Sequence, residues 1–135
     1  MTIGEVARAS GVPASAIRYY ESIGVIAHPE RKSGIRQFAP DAVDEIKALR
    51  FYRESGIPVR GLAAIGATPR GTAARGAMWR SVMQARIDDL DAWMREARAT
   101  KRTLERVIAC RCGGRLDRCE AVRAAETAPA ARPRS

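Results

Sequence analysis

Apolar residues recur at helical spacing in short bursts through the first half of the chain and in one long run through the second. Ile3, Val6 and Ala7 form the first stripe, and Thr2 with Glu5 three residues later predicts a capping box at its start. Ala9-Ser10-Gly11-Val12 reads as a tight turn, after which Pro13 or Ala14 opens a second helix running through Tyr20-Glu21. Residues 26–38 break the pattern and predict two short strands around a turn at Ser33-Gly34. Val43, Ile46, Leu49 and Phe51 mark a third helix from Pro40-Asp41 to Ser55-Gly56, and Val59, Leu62 and Ile65 a fourth after Ile57-Pro58. A stretch rich in Gly, Thr, Ala and Pro follows. From Ala77 the pattern is helical to residue 109, with Met83, Ile87, Leu90, Met94, Ala97, Leu104 and Ile108 keeping steps of four and three when Lys101 fills one position.

Two short helices around a glycine turn predict a helix-turn-helix, and a basic hairpin after it predicts a wing. Ser15, Arg18 and Tyr19 lie on the second helix within reach of bases or phosphates, and Arg18 has the planar fork that suits guanine or phosphate. Arg31, Lys32 and Arg36 crowd the hairpin tip, where they would grip the backbone of a duplex. Arg50, Arg53 and Arg60 are further candidates for phosphate contacts, while His28 reads as a surface loop residue. The 3.5-residue repeat predicts a coiled coil, which one rod of about 50 Å cannot bury by itself, so a homodimer is expected. Trp79 and Trp93 near that face read as packing residues.

The fold expected is therefore mainly α. A winged helix-turn-helix DNA-binding domain (residues 1–70) leads through a linker (71–76) to a long dimerisation helix (77–109). A short thiol loop (110–125) and a disordered tail (126–135) complete it. Composition agrees, with 46% hydrophobic and only 5% aromatic residues, which disfavours a large β-rich core. Net charge of +9 favours a polyanionic partner. It does not locate the surface, since residues 1–75 hold 11 Lys+Arg against 7 Asp+Glu and residues 76–135 hold 13 against 8. No stretch is long and apolar enough to span a membrane and no secretory signal is visible, so a cytoplasmic protein with no membrane partner is expected.

Candidate chemistry concentrates in Cys110-Arg111-Cys112-Gly113-Gly114-Arg115-Leu116-Asp117-Arg118-Cys119, which holds every cysteine in the chain. On an intact helix Cys110 and Cys112 would point about 200° apart, so a shared ligand requires the helix to unwind there. Gly113 and Gly114 supply that unwinding. Arg111, Arg115 and Arg118 surround the sulfurs and are expected to favour thiolates. An odd number of thiols argues against a disulfide scaffold. Neither a thioredoxin-like βαβ pattern nor a candidate histidine base accompanies them, so an enzyme is not expected.

Ile3-Gly4-Glu5-Val6-Ala7, the segment Ile17-Arg18-Tyr19-Tyr20-Glu21-Ser22-Ile23-Gly24-Val25-Ile26, and Gly34-Ile35-Arg36-Gln37-Phe38 resemble the MerR family of bacterial transcription regulators, from Met1 to Cys119. The resemblance implies that Arg18, Tyr19 and Tyr20 lie on the DNA-contacting helix and that Arg36 and Phe38 belong to the wing. It also implies a dimer through an antiparallel coiled coil. Such a dimer would sit on double-stranded promoter DNA and act on RNA polymerase by distorting the promoter.

The same resemblance makes the thiols a sensor. For a metal site, Cys110, Cys112 and Cys119 would bind a soft ion, with copper, mercury, zinc or cadmium undecided. Cys110 and Cys119 are spaced like the loop cysteines of mercury sensors, but no cysteine occurs between residues 70 and 85 to complete that branch's set. The alternative is a SoxR-like redox regulator carrying a [2Fe–2S] cluster, suggested by Ile57-Pro58 through Ile65-Gly66, Trp79 and the Cys-x-Cys pair. Val107 stands there in place of the first cluster cysteine. Direct thiol oxidation is a further alternative, and it needs no cofactor.

Overall fold

A computed structural model describes residues 1–126, the side chain of Leu116 excepted. The tail expected over residues 126–135 therefore lies outside the described residues from position 127 onward. The elements are α1 (Ile3–Ser10), α2 (Ala14–Ser22), β1 (Glu30–Lys32), β2 (Ile35–Gln37), α3 (Ala42–Glu54), α4 (Val59–Gly66), α5 (Ala73–Ala109) and α6 (Glu120–Glu126), with a 3-10 turn at Leu116–Arg118. The architecture is mainly helical, with a helix-turn-helix, a hairpin wing and one long helix. The chain divides into a head, Met1–Arg86, and a second unit from Ile87 onward.

In the head, α1 starts where the capping box predicts. Thr2 Oγ1 accepts from the Glu5 amide at 3.4 Å while Glu5 Oε2 accepts from the Thr2 amide at 2.7 Å. Val6, Ile17, Ile46, Ile57 and Leu62 are sealed inside, drawn from α1, α2, α3, α4 and the turn before α4. Burying one such side chain stabilises the fold by about 1.5–3 kcal/mol. The hairpin turns at Ser33 (φ 51) and Gly34 (φ 78), two successive left-handed residues that match the twist of a two-residue hairpin. Its register sets Lys32 opposite Ile35 and Arg31 opposite Arg36.

Phe51, expected on the apolar face of α3, points outward at 63% exposure and stacks edge-on against Tyr52. Helical spacing explains the change: Ile46 and Leu49 face the core, and position 51 is two residues past the latter.

The long helix begins at Ala73, four residues earlier than its apolar repeat indicates. Thr72 Oγ1 accepts from the Arg75 amide at 3.2 Å, so a polar residue caps a turn that carries no apolar signal. Within the head, Met78, Val82 and Met83 pack on the core and Trp79 meets Tyr52 edge-on at 6.4 Å. Trp79 is thus a packing residue, as expected. From Ile87 the apolar repeat lies open, with Ile87, Leu90, Met94, Leu104 and Ile108 between 39% and 85% exposed.

Candidate metal centre and DNA interface

The thiol loop forms because α5 stops at Ala109, before the first cysteine. Cys110 N still donates to Val107 O at 3.2 Å, closing the last turn, and residues 111–114 then turn. Gly113 (φ 63) and Gly114 (φ 78) reverse the chain through two left-handed positions that a side chain would oppose. Arg115 N donates to Cys112 O at 3.2 Å, and the 3-10 turn delivers Cys119 to the start of α6. The three Sγ atoms all lie within 4.8 Å of one another. Cys119 is buried, whereas Cys110 and Cys112 are half-buried. Among the described residues no histidine or carboxylate joins this group.

The sulfurs are electrostatically unequal. The hydrogen bond between Cys110 and Cys112 pushes the Cys110 thiol up and pulls Cys112 down, and the Gly114 backbone amide lowers Cys112 further. Cys112 therefore gives up its proton more readily than Cys110. Two of the arginines expected to produce that effect, Arg115 and Arg118, lie against Asp117 instead, as does Arg123. Arg115 reaches Asp117 at 3.2 Å, Arg118 lies 3.9 Å from the same carboxylate, and Arg123 Nη2 donates to Asp117 O at 2.8 Å. Thiol-to-thiol hydrogen bonding, invisible in a residue count, does the work assigned to charge.

On the head, Ser15, Arg18 and Tyr19 share the exposed side of α2, while Ile17 and Tyr20 face inward. Tyr20 and Phe38, expected at the DNA through family resemblance, are 8% and 4% exposed. Their rings belong to the core because helical spacing puts Tyr20 beside Ile17, and Phe38, just past β2, is held against the start of the chain by its amide donating to Met1 O at 2.7 Å. Arg31 and Lys32 are exposed on the hairpin. Arg36 is half-exposed, and its Nε lies 3.3 Å from Glu21 Oε2 at the end of α2. His28 is a surface residue, as expected, with Nδ1 3.5 Å from the other Glu21 oxygen.

Sequence reasoning passed over Glu21, whose largely buried carboxylate ties the wing residue Arg36 to the end of α2. An acidic residue in a basic module was its only signal. Of the additional cations, Arg50 pairs with Glu54 at 2.8 Å, Arg53 Nη1 donates to Ile57 O at 2.7 Å, and Arg60 is exposed. Arg53 thus holds a turn.

Residues 1–66 match the family described as MerR HTH family regulatory protein. The chain is 32% identical over 118 residues to the HTH-type transcriptional regulator HmrR of Rhizobium leguminosarum bv. viciae, covering 87% of this chain and 92% of that one. It is 30% identical over 121 residues to the HTH-type transcriptional activator SoxR homolog of Chromobacterium violaceum, covering 88% and 73%. Its fold resembles that of the transcription regulator PbrR691 from Ralstonia metallidurans CH34 in complex with lead(II), with TM-score 0.54, 18% identity, and 93% and 98% coverage. Reading head, wing, long helix and aligned relatives agree: the chain belongs to the MerR family of helix-turn-helix regulatory proteins.

Proposed function

We propose that the protein is a homodimeric transcription regulator that binds a soft metal ion through Cys110, Cys112 and Cys119 and activates a promoter by distorting its DNA. The observation that carries this reading is the convergence of three sulfurs within 4.8 Å. A Zn–S bond of about 2.3 Å implies S···S separations of about 3.8 Å in a tetrahedral site and about 4.0 Å in a trigonal one, so the donors need little rearrangement. An all-sulfur set suits copper(I), mercury(II), zinc(II) or cadmium(II) and disfavours hard cations. Lead(II), named with PbrR691, joins the ions worth testing.

The DNA surface in this reading comprises Ser15, Arg18 and Tyr19 on α2 with Arg31 and Lys32 on the wing. Arg31 and Arg36 face each other across the hairpin, a like-charge pair that a phosphate would relieve. The open apolar repeat from Ile87 to Ile108 supports the dimer, since such a stripe calls for a partner. A two-fold protein then reads a palindromic site, and its action on RNA polymerase passes through promoter shape. Metal drives the change only to the extent that it binds one conformation better than the other.

The second reading is a SoxR-like redox regulator, favoured by alignment with the SoxR homolog over most of this chain. Three sulfurs fall one short of the four ligands an iron–sulfur cluster generally takes, and direct thiol oxidation would remove that requirement. Protein purified without oxygen decides between them through its metal and sulfide content and its absorption spectrum. Stoichiometric thiolate-bound soft metal without sulfide is the expected outcome. Acid-labile sulfide with visible iron–sulfur absorption would reverse the ranking.

A further inference from the structure

Arg75, in the first turn of α5, spends its guanidinium on four backbone carbonyls. Nη1 donates to Ile65 O at 3.2 Å and Thr68 O at 2.8 Å, and Nη2 donates to Gly24 O at 3.2 Å and Val25 O at 2.9 Å. Ile65 and Thr68 belong to the end of α4 and the turn after it, whereas Gly24 and Val25 directly follow the recognition helix α2. One planar fork therefore fastens three elements together, a geometry open to arginine and closed to lysine. Burial, and then the neighbouring Arg70, push the pKa of Arg75 down from the ordinary arginine value, so the carbonyls hold a cation in an unfavourable place.

Beneath the fork, two backbones touch without side chains between them. A Cβ on Gly66 would collide with the Ile23 carbonyl, and one on Gly24 would sit 2.8 Å from Gly66 O. Displacement of α4 must therefore be felt at the end of α2. Room for a second arrangement exists as well. A hollow of about 280 Å³ bounded by Tyr52, Leu62, Arg70 and Trp79 flanks the guanidinium. Arg70 Nη1 donates to Val25 O at 3.2 Å while its Nη2 pairs with Glu45, so Arg70 would keep that carbonyl satisfied if Arg75 withdrew.

We propose that Arg75 is the positioning residue that couples α5 to the recognition helix, so that a change at the thiol loop following α5 reaches DNA through this four-carbonyl grip. The inference rests on the metal-sensing reading above, and it assigns to Arg75 neither metal nor DNA contact. Coupling in this sense is a free energy shared by two sites through an element both can bias.

The test uses full-length protein, mercury(II) as the probe, and a dye-labelled duplex selected by the wild-type protein from a random-sequence pool. Three quantities are measured: thiolate-to-mercury absorption, duplex affinity, and the mercury-dependent change in end-to-end energy transfer of the bound duplex. Arg75→Ala should keep the absorption, hold affinity within roughly threefold, and lose roughly fivefold or more of the mercury-dependent change. Arg75→Lys, which retains charge without the fork, should fall between, and it decides the matter if Arg75→Ala does not fold. An undiminished mercury response in the folded variant, or an affinity loss as large as the response loss, overturns the assignment. If mercury binds the wild-type thiols and changes nothing at the duplex, the metal-sensing reading falls and the coupling falls with it.

Discussion

The head and the thiol loop are stabilised in opposite ways. The head has a core of aliphatic side chains from four helices, a hairpin keyed to its own turn, and arginines tied to backbone carbonyls. The unit from Ile87 onward buries Cys119 alone among its described hydrophobic residues, and its long helix has no buried residue at all. A region with its own core keeps its shape whether or not it is loaded. A region held by two glycines, three sulfurs and a carboxylate–arginine cluster gains most from whatever binds the sulfurs or covers the open stripe. Under the function proposed above, that contrast would suit a head stabilised by its own core and a loop whose order a bound ligand would raise.

The largest expected effect is at the sulfurs. Alanine at Cys110, Cys112 and Cys119 together should abolish stoichiometric soft-metal binding, read as loss of thiolate-to-metal absorption. It should leave the head's denaturant midpoint nearly unchanged, and a large fall in that midpoint would show that the two regions share one core. Next comes Leu62→Ala, which should cost about 2–5 kcal/mol in denaturant unfolding because Leu62 is fully buried in the head. Metal binding by the folded fraction should survive it.

Aspartate at Leu90 should shift sedimentation toward the monomer while the head stays folded, since the position is 39% exposed in the single chain. An unchanged dimer would move the interface elsewhere. Within the loop, metal-free protein should alkylate first at Cys112 as pH rises. Its thiolate persists below the ordinary cysteine range while the Cys110 thiol holds its proton above it. Peptide mapping that finds Cys110 modified first would reverse the assignment. The smallest effect is at the wing. Lys32→Ala should weaken duplex binding about equally for all sequences and reduce the slope of log affinity against log salt by about one.

Much of this was legible in the chain. Thr2 and Glu5 announced the start of α1, Ser33-Gly34 the hairpin turn, and Gly113-Gly114 the chain reversal after Cys112, because each is a local event set by backbone preference or a cap. Phe51 was misread because a pattern of apolar residues says how many can face inward, not which will. The start of α5 at Ala73 escaped because its first turn is polar and small, and it is marked only by the Thr72 cap and by contacts of Arg75 that reach fifty residues away. The inequality of the sulfurs escaped for a related reason: the lowered proton affinity of Cys112 depends on a neighbouring thiol and the Gly114 amide, while Arg115 and Arg118 lie against Asp117.

Periodicity, turn chemistry and cysteine spacing thus determined by themselves which segments form the reader, the wing, the rod and the sulfur loop. Only the tertiary structure decided which face of each segment turns inward, which arginines hold carbonyls, and which sulfur releases its proton more readily. Elements follow from interactions between near neighbours in sequence, which a reader of residues can enumerate. Burial and proton affinity follow from neighbours in space, and those exist only once the chain has closed on itself.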